Sequence, residues 1–180
     1  HAAGDAALVE ELDNVRGIAQ ATLDRIRAQS QWLHPGVLDD FGLEKALRRA
    51  AEQFERQTGI RTTLEATGPI ATIPPDSAIH VYRIVQEALS NIGRHSGSER
   101  ARVRIACEGS ALDLEIEDAG RGLPSTRART VDGGLGLVSM RERAELMGGR
   151  FRLRRSPEGG VVVEVHVPHA LDASRAAVLT

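Results

Sequence analysis

The segment RARVRIACEGSALDLEIEDAGRG, residues 100–122, decides the fold. Apolar and polar residues alternate over Arg100–Cys107 and again over Ala111–Glu117, which is the period of strands with one face in water. The Glu108-Gly109-Ser110 turn between them predicts a β-hairpin. A glycine-bearing loop begins at Asp118, where the second strand ends.

The flanking sequence switches between helical and strand periods. Pro74-Pro75-Asp76 predicts the start of a strongly apolar helix that runs to about His95. The other predicted elements are a helix over Gly42–Thr58 capped by Gly59, a strand over Ile60–Ala66, a helix over Leu137–Met147, and a hairpin over Phe151–Arg155 and Val161–Val167. Together they predict an α+β fold, a two-layer α/β sandwich with helices on one face of a mostly antiparallel sheet.

The N-terminal part reads differently from the rest. Apolar residues recur three or four apart, or at multiples, from Asp5 to Leu33, which predicts a long amphipathic helix with a narrow stripe suited to a helical partner. His34-Pro35-Gly36 breaks that helix. We therefore expect a helical appendage over residues 1–40, a folded domain over 41–168 and a flexible tail over 169–180.

Composition excludes several classes of protein. The 180 residues carry a formal net charge of −2, which argues against a nucleic-acid partner. The single cysteine, Cys107, excludes an intrachain disulfide and fits a reducing compartment. No apolar run is long enough to span a bilayer, and no signal-peptide pattern is present. Because the chain begins with His1 rather than Met, we expect a fragment of a longer protein.

Lysine content limits the possible nucleotide sites. Lys45 is the only lysine, whereas 22 residues are arginines, and Lys45 lies far from any glycine cluster. A Walker-type loop and a eukaryotic-type protein kinase site each need a lysine on the phosphates. Any nucleotide site must therefore hold phosphates with backbone N–H groups, a metal ion, Arg or His.

The helix predicted over residues 76–95 carries a polar stripe. Glu87, Asn91 and His95 stand at i, i+4 and i+8, so regular α-helical spacing places them on one side. They form either a solvated stripe or a metal and phosphate site. In the second case the Asn carbonyl is a neutral Mg²⁺ ligand, the carboxylate orients or deprotonates, and the imidazole faces phosphate.

Two glycine loops follow. Asp118-Ala119-Gly120-Arg121-Gly122 is either an ordinary turn or a base-binding loop, in which a strand-end carboxylate accepts from an exocyclic amine and glycines let a flat ring approach. Residues 132–136, DGGLG, are either a flexible connector or a lid whose N–H groups wrap phosphate oxygens.

These motifs resemble those of a known family, in the same order and spacing. RIVQEALSNIGRH (Arg83–His95) resembles the N box of histidine kinases, DAGRG (118–122) the first glycine box, and GGLGLVSMRERA (Gly133–Ala144) the second. LHPGVLDDFGLEKAL (Leu33–Leu47) is similar to the junction after the dimerisation hairpin in the subfamily of nitrate and lipid-fluidity sensor kinases, and MRER points to the same subfamily. The resemblance covers about residues 5–168.

The resemblance implies the Bergerat-type ATP-binding sandwich shared with topoisomerase-type and chaperone ATPases, with ATP and Mg²⁺ as ligands. It gives the roles of the individual residues: Asp118 accepts from the adenine amino group, Gly120 and Gly122 lie beneath the ring, Asn91 holds Mg²⁺, Gly134 and Gly136 belong to the lid, Glu87 orients a Mg²⁺-bound water or the attacking imidazole, and Arg94 and His95 lie near phosphate. Such a site works by positioning and charge neutralisation.

The implied protein is a sensor histidine kinase that moves the γ-phosphoryl group of Mg-ATP to a histidine, for relay to a response regulator receiver domain. Residues 1–40 are then part of its dimerisation and phosphotransfer hairpin with the junction, and the full-length protein is a homodimer. We expect a cytoplasmic location, as part of a membrane-bound sensor, with no membrane contact by this fragment.

The sequence departs from the family pattern at three places. None of the six histidines is followed by an acidic residue, so the phosphoacceptor is absent from the chain. Ala119 stands where Asp or Asn is usual, and Gly160 where Thr is usual. Two other functions stay open: a non-catalytic, nucleotide-regulated interaction module, and an anti-sigma-type serine kinase or ATPase of the same fold, which would lack the hairpin.

Overall fold

The computed structural model describes residues 36–122, 135–168 and 170. Its helices and strands occur in the order α1 (Gly36–Thr58), β1 (Arg61–Thr67), a 3₁₀ turn (Ile70–Thr72), α2 (Pro75–Asn91), a π-helical turn (Ile92–Ser96), β2 (Arg100–Glu108), β3 (Ala111–Asp118), α3 (Leu135–Leu146), β4 (Arg150–Arg155) and β5 (Val161–Val167). The helix predicted over residues 5–33 lies outside the described residues.

The described strands form one five-stranded sheet in the order β1-β2-β3-β5-β4. β1 runs parallel to β2, and the other three pairs are antiparallel. Both predicted hairpins are present, and the second inserts β5 rather than β4 beside β3. The predicted α+β fold with a mostly antiparallel sheet is therefore confirmed.

One face of the sheet forms the core with the helices. Strand residues alternate between this face and water, as the period of two predicts. The largest fully buried side chains come from all three helices and from the central strands: Leu47, Ile84, Val85, Met140, Ile105, Leu112, Leu114, Ile116 and Val165. Helix α2 packs on α3 and on β3, and it thereby reaches the strand that ends at Asp118.

The opposite face of the sheet is charged. Several of its arginines pair with glutamates on neighbouring strands, with 2.6 Å between Arg102 and Glu117 and 3.1 Å between Arg104 and Glu65. The Arg104–Glu65 pair is exposed, and exposed pairs contribute little to stability, whereas Glu117 is partly buried, with 14% of its side chain exposed. This face is the wet side that the alternation predicted.

The span of α1 consists of two helical segments that meet at a kink at Gly42, so a helix begins near the predicted Gly42 and helical residues also precede it from Gly36. Gly42 itself has φ 76° and ψ 169°, a left-handed backbone that interrupts the helix. Gly59 ends α1 as predicted, since its φ is 74° and its N–H donates to the Glu55 carbonyl at 2.8 Å. Of the tail predicted over 169–180 the structure describes Ala170, which is buried and donates its N–H to the Ser110 carbonyl at 2.9 Å.

Helix α2 ends before the predicted His95. It is α-helical to Asn91 and closes in a π-helical turn, Ile92–Ser96, that Gly97 caps in the left-handed region with φ 63°. The α-helical spacing behind the predicted stripe therefore joins Glu87 to Asn91 but does not extend to His95. π-helical turns of this sort occur frequently at functional sites.

Candidate functional site

The carboxylate of Asp118 lies buried at the end of β3, with 4% of the residue exposed. Its Oδ1 accepts the Gly120 N–H at 2.7 Å, and its Oδ2 accepts the Val161 N–H at 3.2 Å. Each carboxylate oxygen can accept a further hydrogen bond. Asp118 is thus a fixed acceptor that two backbone donors orient and that keeps capacity for a ligand donor.

The glycines around Asp118 allow three backbone segments to touch. A β carbon on Gly120 would lie 2.2 Å from the Ser96 carbonyl oxygen, and one on Gly122 would lie 2.4 Å from that of Gly159. Gly122 also has φ 75°. These contacts give Gly120 and Gly122 a packing role in addition to the predicted one of letting a flat ring approach.

Two serines that sequence reasoning missed join this loop to the end of α2. The Ser96 carbonyl accepts the Arg121 N–H at 2.9 Å, and Ser98 Oγ accepts the Ala119 N–H at 3.1 Å. Both serines are buried. The sequence signal was the S-G-S string after a helical run, which is typical of a turn but does not reveal its partner. Because of these bonds, the Asp118 loop and the end of α2 form one edge of the domain.

Glu87 and Asn91 are half-buried on the last two turns of α2. The Glu87 carboxylate lies against the first turn of α3, since a β carbon on Gly136 would lie 2.0 Å from its Oε1. Burial lowers the pKa of Arg143 on α3, and the charge of Glu87 opposes that shift. Glu87 thus links α2 to the helix that follows the second glycine loop.

Asn91 lies one turn beyond Glu87 on the same helix. Within the described part of the chain, its amide makes no side-chain hydrogen bond, so its oxygen is available to a ligand. The same part of the chain contains no group of three acidic, His or Cys side chains that could hold a metal ion. A metal at this edge would therefore take few protein ligands, as Mg²⁺ bound to phosphates does.

Comparison with known proteins shows the family to which the chain belongs. Residues 76–171, which run from α2 past β5, match the profile of the histidine kinase-, DNA gyrase B-, and HSP90-like ATPases. The chain belongs to this family. It is an ATP-binding domain of the histidine kinase type, and the predicted fold and ATP ligand agree with that membership.

Individual relatives support the assignment to these ATPases. The signal transduction histidine-protein kinase/phosphatase DegS of Brevibacillus brevis is 29% identical over 168 residues, which are 93% of this chain and 43% of DegS. The chain therefore spans less than half the length of this relative. The histidine kinase domain of the blue-light activated kinase EL346 of Erythrobacter litoralis matches with a TM-score of 0.58 and 25% identity, over 71% of this chain and 61% of that one.

A further solved structure is similar to this chain in fold. The ATP-binding domain of PrrB from Mycobacterium tuberculosis matches with a TM-score of 0.55 and 23% identity, over 69% of this chain and 92% of that domain. The order of helices and strands in the described residues is thus that of a histidine kinase ATPase domain.

The remaining predicted site residues of this ATPase domain belong either to the π-helical turn (Arg94 and His95) or to the second glycine loop (Gly134 and Gly136). Arg94 and His95 are exposed on the π-helical turn, and neither makes an ion pair with a described residue. Gly136 lies in the first turn of α3. Gly134, with the rest of the loop over 123–134, lies outside the described residues.

The Gly160 departure also touches this site. A β carbon on Gly160 would lie 2.0 Å from the Asp118 carbonyl oxygen and 2.5 Å from Asp118 Oδ1. Threonine therefore does not fit here unless the strands separate.

No described helix of the chain is long and apolar enough to cross a membrane.

Proposed function

We propose that the chain is the catalytic part of a two-component sensor histidine kinase of the nitrate and lipid-fluidity sensor subfamily. It binds Mg-ATP and transfers the γ-phosphoryl group to a histidine that the chain does not contain, from which an aspartate of a receiver domain takes it. The observation that carries the proposal is the direct bond between the Asp118 loop and the end of α2, 2.9 Å from Arg121 N to Ser96 O.

The proposed roles follow from that edge. Asp118 accepts from the adenine amino group, and Gly120 and Gly122 lie beneath the ring. Asn91 would hold Mg²⁺ through its amide oxygen, at the phosphate end of the nucleotide. A fixed acceptor and a metal ligand at opposite ends of one nucleotide supply the positioning that phosphoryl transfer needs.

Other residues act on the phosphate end. Glu87 orients a Mg²⁺-bound water or the attacking imidazole, and its contact with Gly136 connects it to the lid, to which Gly134 also belongs. Arg94 and His95 face the phosphates from the π-helical turn. Mg²⁺ would supply charge neutralisation when bound, and the amide oxygen of Asn91, which makes no hydrogen bond with a described residue, fits a hard cation that prefers oxygen ligands.

The proposed arrangement of the longer protein follows the same reasoning. Residues 1–40 form the second helix of a dimerisation hairpin with its junction, residues 41–168 the ATP-binding domain, and 169–180 a tail. The full-length protein is a homodimeric sensor whose cytoplasmic part includes this chain, and its phosphorylated histidine docks a receiver domain.

The test mixes the chain with radiolabelled Mg-ATP and a separately supplied dimerisation hairpin that carries an acceptor histidine. We expect label on the hairpin, and none when Asn91→Ala replaces the wild type. Gln53→Ala is the control, because it also removes a side-chain amide from a helix, at an exposed position on α1, and it should retain transfer. Nucleotide binding without any transfer would favour the non-catalytic interaction module.

A further inference from the structure

Arg121 occupies an unusual position between the two glycines of the Asp118 loop. Its guanidinium lies over Gly97, the residue that caps the π-helical turn, since a β carbon on Gly97 would be 3.0 Å from Arg121 Nε and 3.3 Å from Nη2. Gly97 has φ 63°, so the backbone angle favours glycine there, and the missing β carbon leaves room for the guanidinium. The guanidinium of Arg121 thus packs against the Gly97 end of the turn.

The donors of Arg121 are not used by the described part of the chain. The side chain is exposed, and it makes no hydrogen bond or ion pair with any residue in the described ranges. Arg94 and His95 on the adjacent turn share this property. By contrast, Arg102 and Arg104 on the charged sheet face pair with glutamates. Three basic side chains without a partner among the described residues, Arg94, His95 and Arg121, thus lie where α2 ends and the Asp118 loop begins.

We propose that Arg121 binds the phosphate chain of the nucleotide, an inference that rests on the proposed function. Arginine presents five N–H donors in a planar fork that matches phosphate oxygens. The negative end of the α2 dipole favours a cation at this place and helps to hold the guanidinium over Gly97. The only lysine, Lys45, lies on α1, so arginine and histidine supply the basic side chains near the phosphates.

A purely structural role makes a different prediction. If Arg121 only stabilises the end of α2, its removal lowers the melting temperature and leaves the ratio of ATP affinity to adenosine affinity unchanged. A phosphate contact changes that ratio. The ligand series therefore separates the two roles.

The experiment titrates wild type, Arg121→Ala and Arg121→Lys with ATP, ADP and adenosine by calorimetry in the presence of Mg²⁺. We expect Arg121→Ala to weaken ATP binding by about tenfold or more, as loss of a charged hydrogen bond predicts, with adenosine affinity changed less than about twofold. The ATP affinity of Arg121→Lys should lie between that of the wild type and that of Arg121→Ala. Arg152→Ala is the matched control, because Arg152 is exposed on β4 and has no partner among the described residues.

Each other outcome overturns the inference. Equal loss for ATP and adenosine would assign Arg121 to the base or to folding, and unchanged ATP affinity would exclude a phosphate contact. In both cases the proposed function still stands, because the wild type binds ATP. If the wild type binds neither ATP nor adenosine, the proposed function fails as well, and the inference fails with it.

Discussion

Replacement of Asp118 by asparagine removes one of two acceptor oxygens at the end of β3. The carboxylate accepts from Gly120 N–H at 2.7 Å and from Val161 N–H at 3.2 Å. Asparagine has one acceptor oxygen and one NH₂ group, so one of the two backbone donors would face another donor. A hydrogen bond to a charged group contributes about 1.5–3 kcal/mol net, so we expect the free energy of unfolding to fall by about 2 kcal/mol.

The same substitution affects nucleotide binding. The single remaining oxygen would have to accept from the backbone and from the adenine amino group together. A loss of about 2–3 kcal/mol in binding corresponds to roughly 30-fold to 150-fold weaker affinity. The loss in Asp118→Asn should therefore appear in two independent measurements.

The assay combines urea unfolding with titration of a fluorescent ATP analogue. Asp113→Asn is the matched control, because it makes the same chemical change at an exposed side chain on the charged sheet face, where Asp113 contacts His166 at 2.7 Å. The control should keep wild-type affinity. Unchanged affinity in a folded Asp118→Asn protein would refute the adenine assignment, and unchanged stability would refute the argument from two acceptors.

Three more predictions concern packing and protonation. Gly160→Thr should lower the free energy of unfolding by about 2 kcal/mol or more in urea, since its β carbon would lie 2.0 Å from a carbonyl oxygen of β3. Burial raises the pKa of Cys107 to about 11, so iodoacetamide at pH 8 should label it far more slowly in folded than in urea-unfolded protein. Burial raises the pKa of Glu117, but hydrogen bonds from Ser156 and Arg102 outweigh it and hold that pKa below 4.5. This stabilisation is present above pH 4.5 and is lost as the pH falls through the lower, folded value, so the stability difference between wild type and Glu117→Gln should shrink in acid denaturation curves.

Local sequence patterns predicted the helices and strands well because each has a strong period. The alternation in β2 and β3 and the glycine after α1 act within a few residues, and the structure confirms both. The π-helical turn at Ile92–Ser96 was not predictable, because no local residue preference separates it from a continuing α-helix. The place of β5 beside β3 was equally out of reach, since it depends on pairing between strands that are distant in the sequence.

The same limit applies to the site. Motif resemblance supplied Asp118 and Asn91, but the bonds that join their segments run through Ser96 and Ser98, whose partners lie more than 20 residues away. Single polar residues in a turn carry no signal for such distant partners. Long-range packing, rather than propensity, therefore determines how the motif residues are assembled.

The departure at Gly160 shows how that packing determines the acceptor geometry. Because residue 160 has no β carbon, the backbone of β3 and the start of β5 come close enough for the Val161 N–H to reach Asp118 Oδ2. The second donor, Gly120 N–H, likewise belongs to a glycine that touches backbone. Both donors are backbone N–H groups, which every residue except proline retains, so other substitutions can displace them but not delete them. Substitutions at Gly120 and Gly160 should therefore weaken nucleotide binding even though neither glycine has a side chain to offer the ligand.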